Sequence, residues 1–421
     1  LRAFYTLVLR IALPFILLRL WWRGRRERGY RESIPERFGK YARDKSSFQP
    51  AAKIVWIHAV SVGEARAAAP LVHALRKALP DHRLLMTCMT AAGRATLEQL
   101  YGEVASIVWL PYDYPRAVHG FLEHFKPRLG VLMETELWPN LLAACAGSGV
   151  PVLLANARMS EKSARRYARW AGLTAPALRG LAAVCAQSAA DAQRLRELGA
   201  PPAEVTGNLK FDVLPAPSQV AAGRAWRAQV SRPVLLFAST REGEEKTLLD
   251  ALSQTGRKAP ENLLVVIVPR HPQRFDDVAQ WADARRSRGE MPEGRQKIYL
   301  GDTMGEMAFY FAAADVAVIG GSFAPLGGQN LIEALAVGTP VVTGPSMFNF
   351  AEATRLAVKA GAAVQAPDAA AAIGLSLSLL ADTDKRERMS AAGRALCEAH
   401  RGATERHLRA CLRLLTERAR G

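Results

Sequence analysis

The chain has 421 residues, with 56 lysines and arginines against 39 aspartates and glutamates and a formal charge of +17 at neutral pH. Apolar residues make up 49% and charged residues 23%, which excludes a disordered or collagen-like chain and provides for two or three buried cores. The charge surplus is concentrated at the ends: residues 1–40 hold nine arginines and one lysine against three glutamates, and residues 385–421 hold ten cations against four glutamates. Such ends imply an anionic partner, and composition alone does not choose between phospholipid and nucleic acid. The five cysteines (Cys88, Cys145, Cys185, Cys397 and Cys411) are odd in number and never form a Cys-x-x-Cys pair. They predict neither a disulfide framework nor a zinc site, and fit a reducing compartment.

In chain order, the first element is the apolar stretch 3–22, AFYTLVLRIALPFILLRLWW. Its length would cross a bilayer, but Arg10, Pro14 and Arg19 interrupt it, and a central arginine costs about 2.5–3.5 kcal/mol in a spanning helix. Trp21 and Trp22, followed by Arg23, Arg25, Arg26 and Arg28, instead predict an interfacial anchor with rings at headgroup level and cations on anionic lipid. The competing reading is a helix packed on the protein's own domain. Residues 1–40 are therefore read as a membrane-associated anchor with a basic segment.

From Lys53 onward, short apolar runs alternate with amphipathic stretches. The runs are 53–60, 83–90, 106–111, 128–135, 151–158 and 182–188, with helical patterns near 65–79, 91–101, 115–125, 138–147 and 163–171. Alternation of this kind predicts a parallel sheet covered by helices. It breaks at the Pro/Ala-rich 211–223 and resumes at 233–239, 263–269, 297–302, 314–321, 339–345 and 362–367. The predicted fold class is thus α/β: two doubly wound domains, 41–212 and 233–383, joined by a linker, 213–232, and facing one another across a cleft. Basic helices over 384–421 follow, able to pack back on the first domain.

Ligands of doubly wound sheets bind at the carboxyl ends of the strands, so polar residues directly after apolar runs are the candidates. Glu64, in SVGE, is placed to act as a general base on a hydroxyl or as a first-turn glutamate meeting the helix dipole. In METELWPN, two carboxylates, Glu134 and Glu136, follow a wholly apolar strand; one can cap the helix that Pro139 begins, and two point to a site. Thr87, Thr90, Arg94, Asn156, Arg158 and Ser160 are chemically suited to phosphate but individually read as turn residues. Lys210, in GNLKFD, can reach the cleft or pair with Asp212. In the second half, Pro269, Arg270 and His271 follow one strand and Asp302 to Glu306 another. The glycine-rich turn from Gly320 enters a helix near Asn330, whose amides can receive phosphate oxygens, while Glu333 can accept from ribose hydroxyls. The turn is neither a GxGxxG fingerprint nor a Walker A motif. Asp382-Thr383-Asp384 has metal-binding spacing but reads as a helix cap. No metal constellation and no Ser/His/Asp or nucleophilic cysteine arrangement is visible.

The ordered set HAVSVGE, METELWPN, NARMS, GNLKFD, STREGEE, VPRHPQRF, GDTMGE, GGSFAPLGGQN-LIE and GP-MFNF, with GY-E-I-ERFG at 29–39, resembles the 3-deoxy-D-manno-octulosonic acid (Kdo) transferases of Gram-negative bacteria over essentially the whole chain. The resemblance implies a GT-B fold of two Rossmann-like domains and transfer of Kdo from CMP-Kdo to lipid A precursor at the cytoplasmic face of the inner membrane. It implies Glu64 as proton acceptor, transition-state roles for Glu134 and Lys210, and CMP contacts from Pro269, Arg270, Met304, Gly305, Glu306, Asn330, Leu331, Ile332 and Glu333. No cofactor and no metal are expected; the expected partners are CMP-Kdo, lipid A precursor and anionic membrane lipids, with no nucleic acid. Gln329 stands where some relatives carry histidine. Two competing classes share some of these features: another sugar-nucleotide enzyme of the same fold, and a non-enzymatic binder of nucleic acid or membrane surface.

Overall fold

The computed structural model describes residues 1–42, 53–256 and 259–420. It divides into two compact units, the first comprising Leu1–Asp212 with Arg401–Gly421 and the second Val213–His400.

Unit 1 is built on seven parallel strands: β1 Lys53–His58, β2 His82–Cys88, β3 Ala105–Trp109, β4 Leu129–Met133, β5 Val152–Ala157, β6 Ala183–Ala186 and β7 Ala203–Val205, in the order β3-β2-β1-β4-β5-β6-β7. The six apolar runs predict β1 to β6; β7, with its exposed Glu204 and Val205, carries no apolar signature. Both faces of the sheet are covered, so successive residues serve opposite cores: Val55 and Ile57 pack on one side, Ile54 and Trp56 on the other. The strand order reverses between β1 and β4, which makes the carboxyl ends of those two strands the natural ligand position of this sheet. Glu64 follows the first of them and Glu134 the second.

Unit 2 repeats the plan with β8 Val234–Thr240, β9 Leu264–Pro269, β10 Ala284–Arg285, β11 Ile298–Leu300, β12 Val316–Ile319, β13 Val341–Thr343 and β14 Ala363–Gln365, in the order β10-β11-β9-β8-β12-β13-β14. Its reversal lies between β8 and β12. At both reversals or beside them a strand bulges at its carboxyl end: β5 around Asn156 (φ +51°) and β8 around Ser239 (φ +57°). Bulges re-aim the chain at functional edges. Gly320 shows why glycine follows β12: a Cβ there would lie 2.6 Å from the Ser239 carbonyl oxygen.

Three expectations about organisation change. The stretch 213–232 is not an extended linker, because Pro217 starts a helix, Pro217–Val230, that packs within unit 2 against the helix Met307–Ala313. Trp226 is buried there, and Gly223 admits the Phe309 carbonyl within 2.3 Å of where a Cβ would stand. The terminal basic helices also part company: Thr383–Ala399 belongs to unit 2, whereas Ala403–Arg420 lays Ala403, Ala410, Cys411 and Leu414 on the unit 1 core. Finally, residues 1–42 are part of unit 1. The helix Arg2–Arg26 runs unbroken through Pro14, and neighbouring groups hold it: the Tyr114 hydroxyl donates to the Leu9 carbonyl at 2.7 Å and the Asn140 amide to the Thr6 hydroxyl at 3.0 Å. Beyond it, Glu36 accepts from the Trp109 amide at 2.9 Å and from Arg94 at 3.2 Å, and the Arg37 guanidinium lies 3.7 Å over the Trp109 ring. The boundary residues 43–52 lie outside the described structure.

The helix is therefore both an apolar element long enough to cross a membrane and a docked element of unit 1. Its outward residues Phe4, Val8, Ile11, Phe15, Leu18 and Trp22 recur every three or four positions and are all exposed, Phe15 at 71%.

Candidate active site

Ser61 caps the helix Val62–Ala67, its hydroxyl accepting from the Glu64 amide. The Glu64 carboxylate reaches back, Oε2 accepting from the Val60 amide at 2.7 Å and Oε1 from the Ser61 hydroxyl at 3.1 Å. This is a variant of the S-x-x-E cap in which the glutamate takes the amide before the cap residue and the cap hydroxyl, so the first-turn reading of Glu64 holds, and its electrostatics go further. Burial, then the charge of Glu134 and, less strongly, that of Glu136 push the Glu64 carboxyl up to about 8, against the Val60 amide, which favours the ionised form. A base whose proton affinity lies near neutrality is suited to take a proton from a hydroxyl in the transition state.

Glu134 adopts a left-handed conformation, φ +58°, which turns its side chain out of the strand line while its amide still donates to the Ala155 carbonyl at 2.9 Å. Its Oε1 accepts from Lys210 Nζ at 3.1 Å, both side chains being largely buried. Lys210 thus pairs with Glu134 and not with Asp212. Asp212 caps the last helix, accepting from the amides of Gly402 at 2.8 Å and Thr404 at 2.5 Å. Burial raises the Glu136 carboxyl to about 7. Neither glutamate caps the helix Pro139–Gly147; Asp113 does, accepting from the Asn140 and Leu141 amides at 3.0 and 2.8 Å. Both carboxylates of METEL are therefore left to the site. Beneath them His58 is wholly buried, bonded through Nδ1 to Thr87, and burial lowers its pKa to about 3. It is a neutral part of the floor, edge-on to Trp138 at 6.4 Å between ring centroids.

Of the groups suited to phosphate, Thr90 caps the helix Ala91–Tyr101, Ser160 caps Glu161–Ala168, and Arg94 is shared between Glu36 and Glu98. The helix Glu161–Ala168 buries none of its residues. With Arg169 it presents Lys162, Arg165 and Arg166 around a depression of about 520 Å³ at the same edge of unit 1. Tyr167 lies on this helix, in the field of Glu136.

In unit 2 the glycine-rich turn departs from expectation. The Gly321 amide donates to Glu244 Oε2 at 2.6 Å, the Phe323 amide to Glu244 Oε1 at 3.1 Å, and the Arg241 amide to Oε2 at 2.9 Å. A buried carboxylate at the start of the helix Glu244–Ser253, which follows β8, thus occupies amides of the glycine-rich turn that follows β12. The amide of Ile332, at the start of the helix Ile332–Val337, is met by Asn330 Oδ1 at 3.0 Å. Leu331 and Ile332 are buried and Glu333 half-buried, while Asn330 is exposed. Pro269 ends β9, and Arg270 Nε bonds Gln329 Oε1 at 3.2 Å. Burial and three neighbouring arginines, Arg241, Arg270 and Arg274, lower the pKa of His271. Met304 is exposed and Gly305 has φ +81°, while Glu306 is held by Arg286 at 2.9 Å and by the Thr303 hydroxyl. These contacts keep the Glu306 carboxyl below its usual range, the Arg286 hydrogen bond foremost. Among the described residues, no three His, Cys, Asp or Glu side chains are gathered to hold a metal ion.

Residues 32–213 match the family model described as 3-deoxy-D-manno-octulosonic-acid transferase (kdotransferase), and residues 233–396 match that of group 1 glycosyl transferases. The chain is 49% identical to the 3-deoxy-D-manno-octulosonic acid transferase of Bordetella pertussis over 97% of its own length and 98% of the relative's. The chain belongs to the Kdo transferases. The Haemophilus influenzae member is 34% identical, with 97% of each chain covered. Among solved structures, Anabaena HepE in complex with UDP superposes with a TM-score of 0.58 at 17% identity, covering 86% of this chain and 99% of that one; it shares the fold, two Rossmann-like units of the GT-B class.

Glu244 and Asp113 are the parts of this Kdo transferase to which the sequence assigned no role, whereas the packing of the last helix on unit 1 follows the expectation for the terminal basic helices. Glu244 was open to detection, because it follows an apolar run as Glu64 does; the amides it serves lie 77 and 79 residues away. Removing its carboxylate in E244A is expected to leave three amides without a protein partner and to destabilise unit 2 by about 3 kcal/mol. Hydrogen exchange at the Gly321 and Phe323 amides reads the effect directly, and unchanged protection there would show that Glu244 does not hold the turn.

Proposed function

We propose that this protein transfers Kdo from CMP-Kdo to a hydroxyl of lipid A precursor (lipid IVA), with inversion and without a metal ion. The observation that carries the reading is the set of Glu64 and the Glu134–Lys210 pair at the reversal point of the first sheet, in a chain 49% identical to a Kdo transferase. Glu64 takes the acceptor hydroxyl's proton as its oxygen attacks the Kdo anomeric carbon, and the bond from that carbon to the phosphate oxygen breaks with its electron pair leaving on CMP. No covalent enzyme intermediate is required. Arg270 and the polar groups of Asn330 and Glu333 hold the nucleotide, Arg270 meeting the negative charge that grows on the phosphate. Met304, Gly305 and Glu306 form the other side of that donor site, and Glu134 faces the positive charge that develops on the sugar ring while Lys210 fixes its orientation.

The test is a transfer assay with the purified full chain, CMP-Kdo generated in situ and tetra-acylated lipid A precursor, with products resolved by mass. Additions of the Kdo mass support the reading and count the transfers. No addition from intact donor onto dispersed acceptor, together with activity on a UDP-sugar, would overturn it.

The acceptor is an anionic, acylated lipid, and the reading places the protein on the cytoplasmic side of the inner membrane. Because one side of the helix Arg2–Arg26 is bonded to Tyr114 and Asn140, the exposed stripe supports a helix lying in the headgroup region rather than crossing it. The cations of 162–169 stand ready for the same anionic surface. Substituting Phe15 and Leu18 with glutamate is expected to lower binding to phosphatidylglycerol-containing vesicles at least tenfold in a flotation assay, with turnover on detergent-dispersed acceptor changed less than threefold. Equal losses in both assays would assign the helix a role in the site itself.

A further inference from the structure

The last helix, Ala403–Arg420, is separated from the rest of unit 1 by the whole of unit 2, yet its buried face is not purely apolar. His407 lies within the stripe formed by Ala403, Ala410, Cys411 and Leu414 and is itself wholly buried. Its Nδ1 is 2.7 Å from the Ala403 carbonyl, to which it donates, and this fixes Nε2 as an acceptor. Nε2 receives the Asn156 amide at 2.9 Å, with the Thr206 hydroxyl at 3.4 Å. Burial lowers the imidazole's pKa to about 4, so it accepts throughout the neutral range.

Asn156 is the bulge residue of β5, in the left-handed region, where a non-glycine residue is uncommon. From there a chain of bonds runs to the site. Asn156 Oδ1 accepts from the Leu209 amide at 3.0 Å, and its carbonyl accepts from Gln187 Nε2 at 2.9 Å. Gln187 Oε1 accepts from Asn208 Nδ2 at 3.0 Å, and Asn208 Oδ1 accepts from the Lys210 amide at 3.0 Å. Lys210 then reaches Glu134. The same helix grips the loop from both ends, since Arg406 Nε donates to the Thr206 carbonyl at 2.7 Å and Asp212 caps the helix start. The turn 207–212 that carries Lys210 is thus clamped before, beneath and after the lysine by a helix remote in sequence.

We propose that His407 is a positioning residue for the transfer reaction: by accepting the Asn156 amide it holds the β5 bulge, and through it the turn that aims Lys210 at Glu134. The inference rests on the reading of Lys210 and Glu134 as transition-state groups. It explains a polar residue on a core-facing stripe, where leucine would bury more apolar surface but would leave the Asn156 amide unpaired.

The experiment is a double-mutant cycle on the full chain, with H407A, K210M and the pair assayed for transfer. H407A alone is expected to lower kcat about 10–100-fold, the scale of a misplaced reacting group, with the KM for CMP-Kdo within twofold. In the K210M background the same change is expected to have less than a threefold effect, because its route to the chemistry is already cut. H407Q, whose amide oxygen can accept in place of Nε2, is expected to recover kcat to within about fivefold of the parent. Effects that multiply in the double variant would assign His407 to general stability and overturn the inference. Near-parental kcat in H407A beside a crippled K210M would overturn it as well, with the role of Lys210 intact. Near-parental kcat in K210M would instead remove the underlying reading. Should H407A fail to fold, H407N takes its place, since its shorter amide does not reach the Asn156 amide.

Discussion

Replacing Glu64 with glutamine is expected to cut turnover by about 10²–10⁴-fold, the contribution of a positioned general base, while CMP binding measured by calorimetry stays within twofold. Glutamine keeps the size and can still accept from the Val60 amide through Oε1, so the helix cap survives and the loss isolates proton transfer. The pH dependence sharpens the test. Only the ionised carboxylate can take a proton, and Glu64 titrates near 8 in the unliganded protein. In the parent, kcat/KM should therefore rise about tenfold per unit below that value and level off above it. In E64Q that limb should vanish. Near-normal turnover in E64Q, or a limb that persists, would remove Glu64 as the base.

The raised pKa has a structural origin that the sequence shows only in part. That a carboxylate follows β1 and two follow β4 is legible from strand-end logic, because an apolar run followed by a polar residue marks the edge where ligands bind. That Glu64 and Glu134 flank the reversal point is not legible, since it depends on β4, and not β3, pairing with β1. The parallel sheets were readable because strands buried on both faces are continuous apolar runs. β7 and β10 were not, being short edge strands with little to bury. The helix Pro217–Val230 was hidden by its Pro/Ala start, although proline is at home in a first turn.

Polar groups that act over long separations were the least readable. Asp113, Glu244 and His407 each satisfy amides far away in sequence, at separations of 27, 77 and 251 residues. Each has an ordinary local reading as loop or surface residue that the fold overrides. The glycine-rich turn is the instructive reversal: its composition is that of an anion cradle, yet Glu244 supplies the anion from within the protein. What the turn then offers is a fixed backbone, beside which Gln329 accepts from Arg270.

Glu134 and Lys210 give a prediction of opposite signs that mere structural damage would not produce. In E134Q the charge that ranks just after burial in raising the Glu64 pKa is gone, so the acidic limb of kcat/KM should move to lower pH. In K210M a cation is removed from the same cluster and Glu134 loses its partner 3.1 Å away; the uncompensated negative charge should move the limb to higher pH. Both variants should lose turnover, by about 10²–10³-fold, the cost of removing one preorganised charged group at a reacting centre. Because the carboxylates interact, the limb belongs to the cluster and not to one residue, and the direction of its displacement is the informative quantity. Rate loss with limbs that move oppositely would establish Glu134 and Lys210 as one electrostatic unit acting on Glu64. Rate loss with both limbs unmoved would show that the pair shapes the site without setting the proton affinity of the base.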